Sequence, residues 1–314
     1  MRRFLVRRFL FILLSAFTVT IVVFTLSRTM GDPLLLYAKE GYGRTPEQMD
    51  ALREYLGLNR PLVVQYFMWL GNALTGDLGN SLVDRRPVTR LLLERAPATI
   101  QLAIAGWALA TLIGIPLGVL SSVKRATIWD YLGRTFALFG QATPAFWFGI
   151  VAILIFSVML GWLPTSTRPT DVPLTTQIKH FILPTVVLAW GPAAGYLRLT
   201  RSAMLEVLDS EYIKLARAKG VTSWAVIWKH AFKNALIPPV TVSVLLLAGY
   251  LNGATVVELI FAWPGLGRLA LDSLYNNDFP LLTGSVLMIT LLYLVAYFIS
   301  DIIYVILDPR IRLN

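Results

Sequence analysis

The sequence contains no cysteine and only two histidines, His180 and His230. Without cysteine there is no disulfide framework, no thiolate metal site and no cysteine nucleophile. Two histidines are too few for a histidine-built metal centre, so we expect both to pack at interfaces and no metal to bind. Charged residues make up only 15% of the 314 residues, whereas 56% are hydrophobic. Because an ordinary soluble domain carries about 25% charged residues, this composition indicates an integral membrane protein.

The sequence also lacks the short motifs of common nucleotide-binding and hydrolytic sites. It has no G-x-x-x-x-G-K-[ST] phosphate loop, no G-x-G-x-x-G fingerprint, no H-E-x-x-H zinc motif and no G-x-S-x-G nucleophile elbow. We therefore predict that the chain is not an enzyme and binds no cofactor. Any ATP and Mg²⁺ that drive it are expected on separate subunits.

Six apolar stretches are candidates for membrane crossing. A helix needs about 20 mainly apolar residues to span the hydrocarbon core. The fourth stretch is the weakest because it is short and contains Pro184 and Pro192, although prolines are tolerated where neighbouring groups satisfy the freed backbone. The pattern predicts an all-α integral membrane protein with six transmembrane helices. The stretches are residues 9–27, 96–123, 135–167, 181–197, 234–257 and 279–300.

Lysine and arginine are distributed unequally between the two sides of the predicted membrane domain. If the N-terminus faces inward, the inner segments hold more than half of the 28 basic residues but only a third of the 18 acidic residues. Basic residues in short loops mark the cytoplasmic side. Loop asymmetry thus explains the net charge of +10, and we expect membrane lipid and no nucleic acid as a partner. Both termini are predicted to lie in the cytoplasm.

One long segment follows the first span on the predicted outer side. Thr45 precedes a proline and stands three residues before Gln48, which is a typical helix start, and Gly57 is a plausible end. A second helix is predicted from residues 59–61 to residue 74. No linker interrupts the chain, so residues 1–314 are predicted to form a single membrane domain. Its parts are a first helix (1–28), an extracytoplasmic helical loop (29–97) and a five-helix core (98–314) with a cytoplasmic loop (200–235).

The cytoplasmic loop, residues 200–235, combines basic residues with apolar residues at helical spacing. Gly220 interrupts the pattern and divides it into two short amphipathic helices. Such helices need a protein partner or the membrane surface to bury their apolar faces. The pattern alone also fits a pair of interfacial helices that anchor the neighbouring spans.

This loop resembles the coupling loop between the fourth and fifth helices of ABC-importer permeases. The runs EYIKLARAKG, residues 211–220, and HAFKNA, residues 230–235, follow that loop in spacing. Ala216 and Gly220 match its small-residue positions, whereas Lys214 stands where the general motif has glutamate. The variant is similar to that of the first permease of dipeptide, oligopeptide and nickel importers.

Other segments resemble the same permease type, so the resemblance covers essentially the whole chain. Together they are specific for the family and much less so for its cargo. The matching segments are residues 1–4, 76–81, 87–88, 95–99, 140–147 and 258–267.

The resemblance implies the permease subunit of a binding-protein-dependent ABC importer in the plasma membrane of a prokaryotic cell. Such a permease pairs with a homologous second permease, two ATP-binding subunits and an extracytoplasmic substrate-binding protein. Closure of the ATP-binding subunits would be transmitted through the short helix before Gly220 and would open the path outward. The resemblance assigns this coupling to Glu211, Lys214, Ala216, Arg217, Lys219, Gly220, His230 and Asn234.

Dipeptides or oligopeptides are the cargo that the resemblance favours, with nickel or glutathione as the alternative. A proton-coupled peptide carrier is an alternative from another class. It normally needs a buried acidic or histidine relay and inverted repeats, and neither is found in the sequence. A membrane enzyme is a third alternative, and it lacks a convergent catalytic set.

Polar residues inside the spans are candidates for lining the path, because they are costly in lipid. Gln101, Gln141 and Asn252 qualify, although amides in spans also serve as hydrogen-bonding groups between helices. Trp190 precedes Gly191 and Pro192 at a predicted bend, where it would stand beside the path or pack around the kink.

Two acidic residues are expected near opposite boundaries of the membrane, where charged groups reach water or form ion pairs. They are Glu258, a further candidate for the path or gate, and Asp301. The segment after Glu258 contains the run WPGLG, residues 263–267, which is predicted to be an outer turn that contributes to a gate or receives a binding protein.

Overall fold

The protein is helical almost throughout the part of the chain that the computed structural model describes. That part holds one isolated β-bridge, between Asn80 and Pro87, and no strand. The predicted helix cap at Thr45, the end of the third predicted span and the basic C-terminal residues lie outside it. The described residues are 2–29, 46–55, 57–165 and 174–307.

The helices are numbered here in chain order, and two of them contain π-helical stretches. They are α1 (Arg2–Thr29), α2 (Pro46–Tyr55), α3 (Leu62–Leu74), α4 (Val88–Val123), α5 (Ile128–Ala142), α6 (Ala145–Ala152, continued by the π-helix Ile153–Met159), α7 (Leu174–Leu208), α8 (Glu211–Ala218), α9 (Ser223–Ala225, continued by the π-helix Val226–Ala231 and by Phe232–Ala235), α10 (Ile237–Leu245), α11 (Leu247–Ile260), α12 (Leu266–Tyr275) and α13 (Phe279–Leu307).

Four helices in the described part of the chain, α1, α4, α7 and α13, are each long and apolar enough to cross a membrane. Two further crossings arise if each of two bent pairs counts as one span. The pair α5 and α6 bends by 107°, and the pair α10 and α11 bends by 53°. The predicted all-α membrane fold is therefore confirmed, with up to six crossings.

Proline chemistry explains the sharper bend. Pro144 stands immediately before α6, and Thr143 before it has an extended backbone. A residue that precedes proline is pushed out of the α-helical region, so α5 has to end there. The third predicted span is consequently two helices rather than one.

α7 corrects the prediction for the fourth span. The sequence predicted a helix over 181–197, but α7 runs over Leu174–Leu208 with Pro184 and Pro192 inside it. Residues 200–208, which the sequence assigned to the following loop, therefore belong to α7. The prediction ended the span at its first arginines, whereas Arg201 continues the helix with its charge bound by Asp130.

The chain divides into two compact units, which are described separately. Unit 1 comprises Met1–Thr99 and Pro264–Val295, and unit 2 comprises Ile100–Trp263 and Ala296–Asn314.

The core of unit 1 is an apolar cluster that includes Val88, Leu92, Leu266 and Leu281. The Thr99 hydroxyl accepts a hydrogen bond from the Leu266 amide at 2.8 Å and so satisfies one of the free amides at the start of α12. This helix begins at Leu266, inside the predicted turn at 263–267, and the sequence had not indicated it.

Aromatic packing in unit 1 joins α3 to α1. The hydroxyls of Tyr66 and Thr20 are 2.9 Å apart, and the Tyr66 ring packs edge-on against Phe17 and Phe24. The opposite face of α3 carries exposed apolar side chains such as Phe67. The second helix predicted for the long loop is thus present, over Leu62–Leu74.

In unit 2, α4 and α7 approach each other closely at glycines. A Cβ atom on Gly114 would stand 2.5 Å from the Ala193 carbonyl oxygen, and one on Gly118 would stand 2.6 Å from Cβ of Thr200. Small residues of this kind let membrane helices pack backbone against backbone. The two longest helices of the unit are therefore in direct contact.

The end of α8 depends on the glycine that the sequence singled out. Gly220 has φ of +80°, and its amide donates to the Arg217 carbonyl at 2.9 Å. The Val221 amide donates to the Ala216 carbonyl at 3.2 Å. These two bonds form the Schellman motif, which ends a helix with a residue in the left-handed region. The predicted role of Gly220 as a helix stop is confirmed.

We predict that Gly220→Ala weakens this helix end by about 1 kcal/mol, because an L-residue is strained in the left-handed region. No atom lies within 4 Å of a Cβ built on Gly220, so the strain comes from the backbone alone. The Val221 amide should then exchange with deuterium about fivefold faster, as followed by mass spectrometry of the purified protein.

The matched control is Gly220→Asn, because asparagine tolerates the left-handed conformation better than alanine. It should show a clearly smaller acceleration. Equal exchange rates in the wild type and both variants would contradict the assignment of the motif.

Candidate functional site

One buried side chain holds the short helix α8 in place. Ile213 has no exposed surface and packs in an apolar cluster with Ala203 and Met204 of α7 and with Val226 and Ala231 of α9. Burial of an isoleucine side chain stabilises by about 1.5–3 kcal/mol. α8 is therefore attached to the rest of unit 2 through a single apolar face.

The opposite face of α8 is open and combines apolar and basic groups. Leu215 is 56% exposed and Tyr212 is 45% exposed, although both are large apolar or aromatic residues. Arg217 and Lys219 are also exposed, and Ala216, directly before Arg217, is half-buried. A face of this composition suits a protein partner with an apolar groove and acidic edges.

The remaining predicted coupling residues lie around this face. Lys214 Nζ is 2.8 Å from Glu211 Oε1, an exposed pair that contributes little stability. Asn234 of α9 donates through Nδ2 to the Tyr212 hydroxyl at 3.2 Å and to the His230 carbonyl at 3.0 Å. The eight residues thus belong to one segment, α8 with α9. His230 takes part through its backbone carbonyl.

A cavity of about 320 Å³ in unit 2 opens where two helix breaks face a proline-containing stretch of α7. It lies between the bend before α6, the Trp190 to Pro192 stretch of α7, and the bend between α10 and α11. Its surface is mainly apolar, with aromatic groups from Trp190 and Tyr250. The lining residues are Thr143, Ala145, Val187, Leu188, Trp190, Gly191, Pro192, Leu246, Gly249, Tyr250, Gly253 and Val256.

Of the five residues predicted for the path, Trp190 lines this cavity. Gln101, Gln141 and Asn252 are exposed and stand outside its lining. Gln141 accepts a hydrogen bond from Arg198 at 3.2 Å, which joins α5 to α7. The pair of glycines at 249 and 253, one helical turn apart, was a signal in the sequence that pattern reasoning passed over.

The sequence predicted that Glu258 and Asp301 lie near membrane boundaries as solvated ends or in ion pairs, and the structure shields both side chains from solvent. Glu258 has no exposed surface and Asp301 is only 2% exposed. The Trp263 amide donates to the Glu258 carbonyl at 2.8 Å, so the chain turns directly after α11. Glu258 does not line the cavity either.

A buried ion pair that the sequence had not singled out lies close to α8. Asp130 of α5 is 2% exposed, and Arg201 of α7 donates to it through Nε at 2.7 Å and through Nη2 at 3.0 Å. An acidic residue in the first turn of a helix and an arginine near the end of a span were the available signals. Because the two residues are 71 positions apart, the sequence did not indicate that they form a pair.

In chemical terms the geometry provides an exposed apolar and basic face on α8 and a mainly apolar cavity. Within the described ranges no group of three or more histidine and acidic side chains is arranged to hold a metal ion.

Comparisons with known proteins identify the family of the chain. Residues 114–313 match the family described as binding-protein-dependent transport system inner membrane component, and residues 1–103 match the N-terminal region of such membrane components. The oligopeptide transport system permease protein AppB of Bacillus subtilis is 40% identical over 99% of this chain and 100% of its own length. The dipeptide transport system permease protein DppB of Escherichia coli K12 is 37% identical over 99% of both chains.

Solved structures support the fold. A chain of the MetNI methionine ABC transporter in an inward-facing conformation superposes with a TM-score of 0.55 at 22% identity, over 69% of this chain and 96% of that one. A chain of an amino acid ABC transporter gives 0.53 at 15% identity, over 71% of this chain and 94% of that one. The chain therefore belongs to the family of binding-protein-dependent transport system inner membrane components.

Proposed function

We propose that this chain is one of two permease subunits of an ATP-driven importer and that α8 is its coupling helix. The single observation that carries the proposal is the geometry of α8, whose inner face is fixed by Ile213 while Leu215 projects outward from a basic surface. The partners are a homologous second permease, two ATP-binding subunits and an extracytoplasmic substrate-binding protein. ATP and Mg²⁺ are bound by the ATP-binding subunits.

The two faces of α8 support a role in transmitting force. A helix that carries motion between two proteins has to be fixed to one and complementary to the other. Ile213 supplies the fixed side, and the exposed Leu215 supplies an apolar anchor for a groove. Arg217 and Lys219, at the end of the helix, attract the acidic edges of such a groove and orient the partner during association. The Schellman motif at Gly220 turns the chain away directly after this surface.

We assign the cavity of unit 2 to the translocation path. Helix interruptions inside a membrane are tolerated where they are buried in protein or line a cavity. Two such interruptions border this space, and the glycines at 249 and 253 leave part of its wall without side chains. A wall of this kind accepts peptides of varied sequence, because few fixed polar groups select among side chains.

Peptides are the cargo that the relatives support. The full-length similarity to permeases named for oligopeptide and dipeptide transport favours peptides over nickel or glutathione. The basic loop residues indicate that both termini and α8 lie on the cytoplasmic side, where ATP is available.

The proposal is tested by peptide uptake into proteoliposomes that contain this chain, the second permease and the two ATP-binding subunits. With a peptide-loaded binding protein outside and ATP inside, we expect uptake that stops when ATP is omitted. Uptake by this chain alone, driven by a proton gradient without ATP, would instead establish a proton-coupled carrier.

Leu215→Asp is expected to lower co-purification of the ATP-binding subunits at least about tenfold, because it puts a carboxylate into the centre of an apolar contact. The measurement is the ratio of ATP-binding subunit to permease after affinity purification in mild detergent. The control is Tyr275→Asp, since Tyr275 is 80% exposed and lies on α12. Equal loss of the subunits in both variants would argue against α8 as the docking helix.

Gly249→Leu is expected to lower peptide uptake at least about tenfold while the complex still assembles, because the new side chain occupies the path. No atom lies within 4 Å of a Cβ on Gly249, so the helix accommodates the substitution. The control is Gly71→Leu on α3, which has equally open surroundings and does not line the cavity. Normal uptake by the Gly249→Leu complex would remove the cavity from the path.

A further inference from the structure

One buried carboxylate gathers four hydrogen bonds beside the coupling segment. Asp130 accepts from Arg201 Nε at 2.7 Å and Nη2 at 3.0 Å, from the Ser121 hydroxyl at 2.7 Å, and from the Ala126 amide at 3.1 Å. Asp130 is 2% exposed, and Arg201 is 22% exposed. Every contact is within normal hydrogen-bond length, so the buried charge is well compensated.

These four contacts connect three helices. Ser121 lies in the last turn of α4, Asp130 in the first turn of α5, and Arg201 in the C-terminal part of α7. Ala126 belongs to the turn that joins α4 to α5. We call this set, the Asp130 carboxylate with its donors Arg201, Ser121 and Ala126, the carboxylate strut.

The carboxylate strut and the apolar cluster that buries Ile213 of α8 both include residues of α4 and α7. Ala203 and Met204 follow Arg201 on α7, and Val119 precedes Ser121 on α4. All three belong to the apolar cluster that buries Ile213 of α8. A displacement of α8 therefore presses directly on the turns of α4 and α7 that carry the strut.

The two kinds of contact differ in what they transmit. Apolar packing holds α8 against α7 and α4, but it is non-directional and includes no residue of α5. A bidentate arginine–carboxylate pair holds one relative orientation of its two partners. The cluster thus carries a displacement of α8 to α7, and the strut fixes the orientation of α5 relative to α7.

We propose that Asp130 and Arg201 are positioning residues that convert movement of the coupling helix into movement of α5. α5 leads to the bend at Thr143, which borders the cavity. The strut would thereby link the docking face to the path. This inference rests on the proposed function, because it assumes that α8 is displaced by ATP-binding subunits.

The test uses the complete importer with the double substitution Asp130→Asn and Arg201→Gln. Two amides replace two charges, so no unpaired charge is left in the interior. We expect the complex to assemble with a thermal midpoint near that of the wild type and to keep hydrolysing ATP. Peptide uptake per ATP hydrolysed should fall by about fivefold or more, the lower end of coupling between distant sites. A merely structural pair would change assembly or thermal stability and leave this ratio unchanged.

A second ion pair between the same segments supplies the matched control. Arg125, in the turn after α4, is 3.6 Å from Asp209, just after α7, and both side chains are largely exposed. Neutralising this pair with Arg125→Gln and Asp209→Asn should leave uptake per ATP within about twofold of the wild type, since exposed pairs contribute little.

Each outcome decides for or against the strut. Wild-type uptake per ATP in the Asp130→Asn and Arg201→Gln complex would overturn it, and so would an equal loss in the control pair. If the double variant does not assemble, Ser121→Ala removes one donor and keeps the ion pair. That variant should lower uptake per ATP, and an unchanged ratio would overturn the strut. Failure of the proposed function itself is distinguishable, because the wild-type complex would then show no ATP-dependent uptake.

Discussion

The burial of Ile213 is the contact on which the functional architecture depends. It fixes a two-turn helix to α7 and α9 through one apolar face, so the opposite face stays available. An isolated helix of this length is unstable in water, and its apolar seat and the Schellman motif at Gly220 hold it in shape. Because the apolar cluster around Ile213 also contains Val119 of α4, a displacement of α8 would be passed directly to α4 and α7.

Interrupted helices give the protein its second functional feature. Long straight helices pack side by side and leave little space, as the contacts of Gly114 and Gly118 with α7 show. The breaks at Thr143 and Leu246 and the prolines of α7 open a cavity within the same unit. Rigid packing and open space therefore coexist in unit 2, the combination that a gated path needs.

Features set by local chemistry were predictable from the sequence, and features set by long-range contacts were not. Apolar runs indicated the spans. Gly220 indicated the end of a helix, because few residues other than glycine adopt its backbone conformation. The pairing of Arg201 on the extended α7 with Asp130, by contrast, joins residues that are 71 positions apart. The burial of Glu258 was likewise not visible in the local sequence. The cavity was predictable only through Trp190, because its other walls come from helices distant in sequence.

The most direct test of the account is where Leu215 goes during transport. A photo-reactive amino acid at position 215 should cross-link to an ATP-binding subunit during ATP-driven peptide uptake, because α8 is proposed to sit in a groove of that subunit. The same group at Ile213 should cross-link within this chain, since that side chain is buried. Capture of lipid alone from position 215, while uptake proceeds, would contradict the central claim.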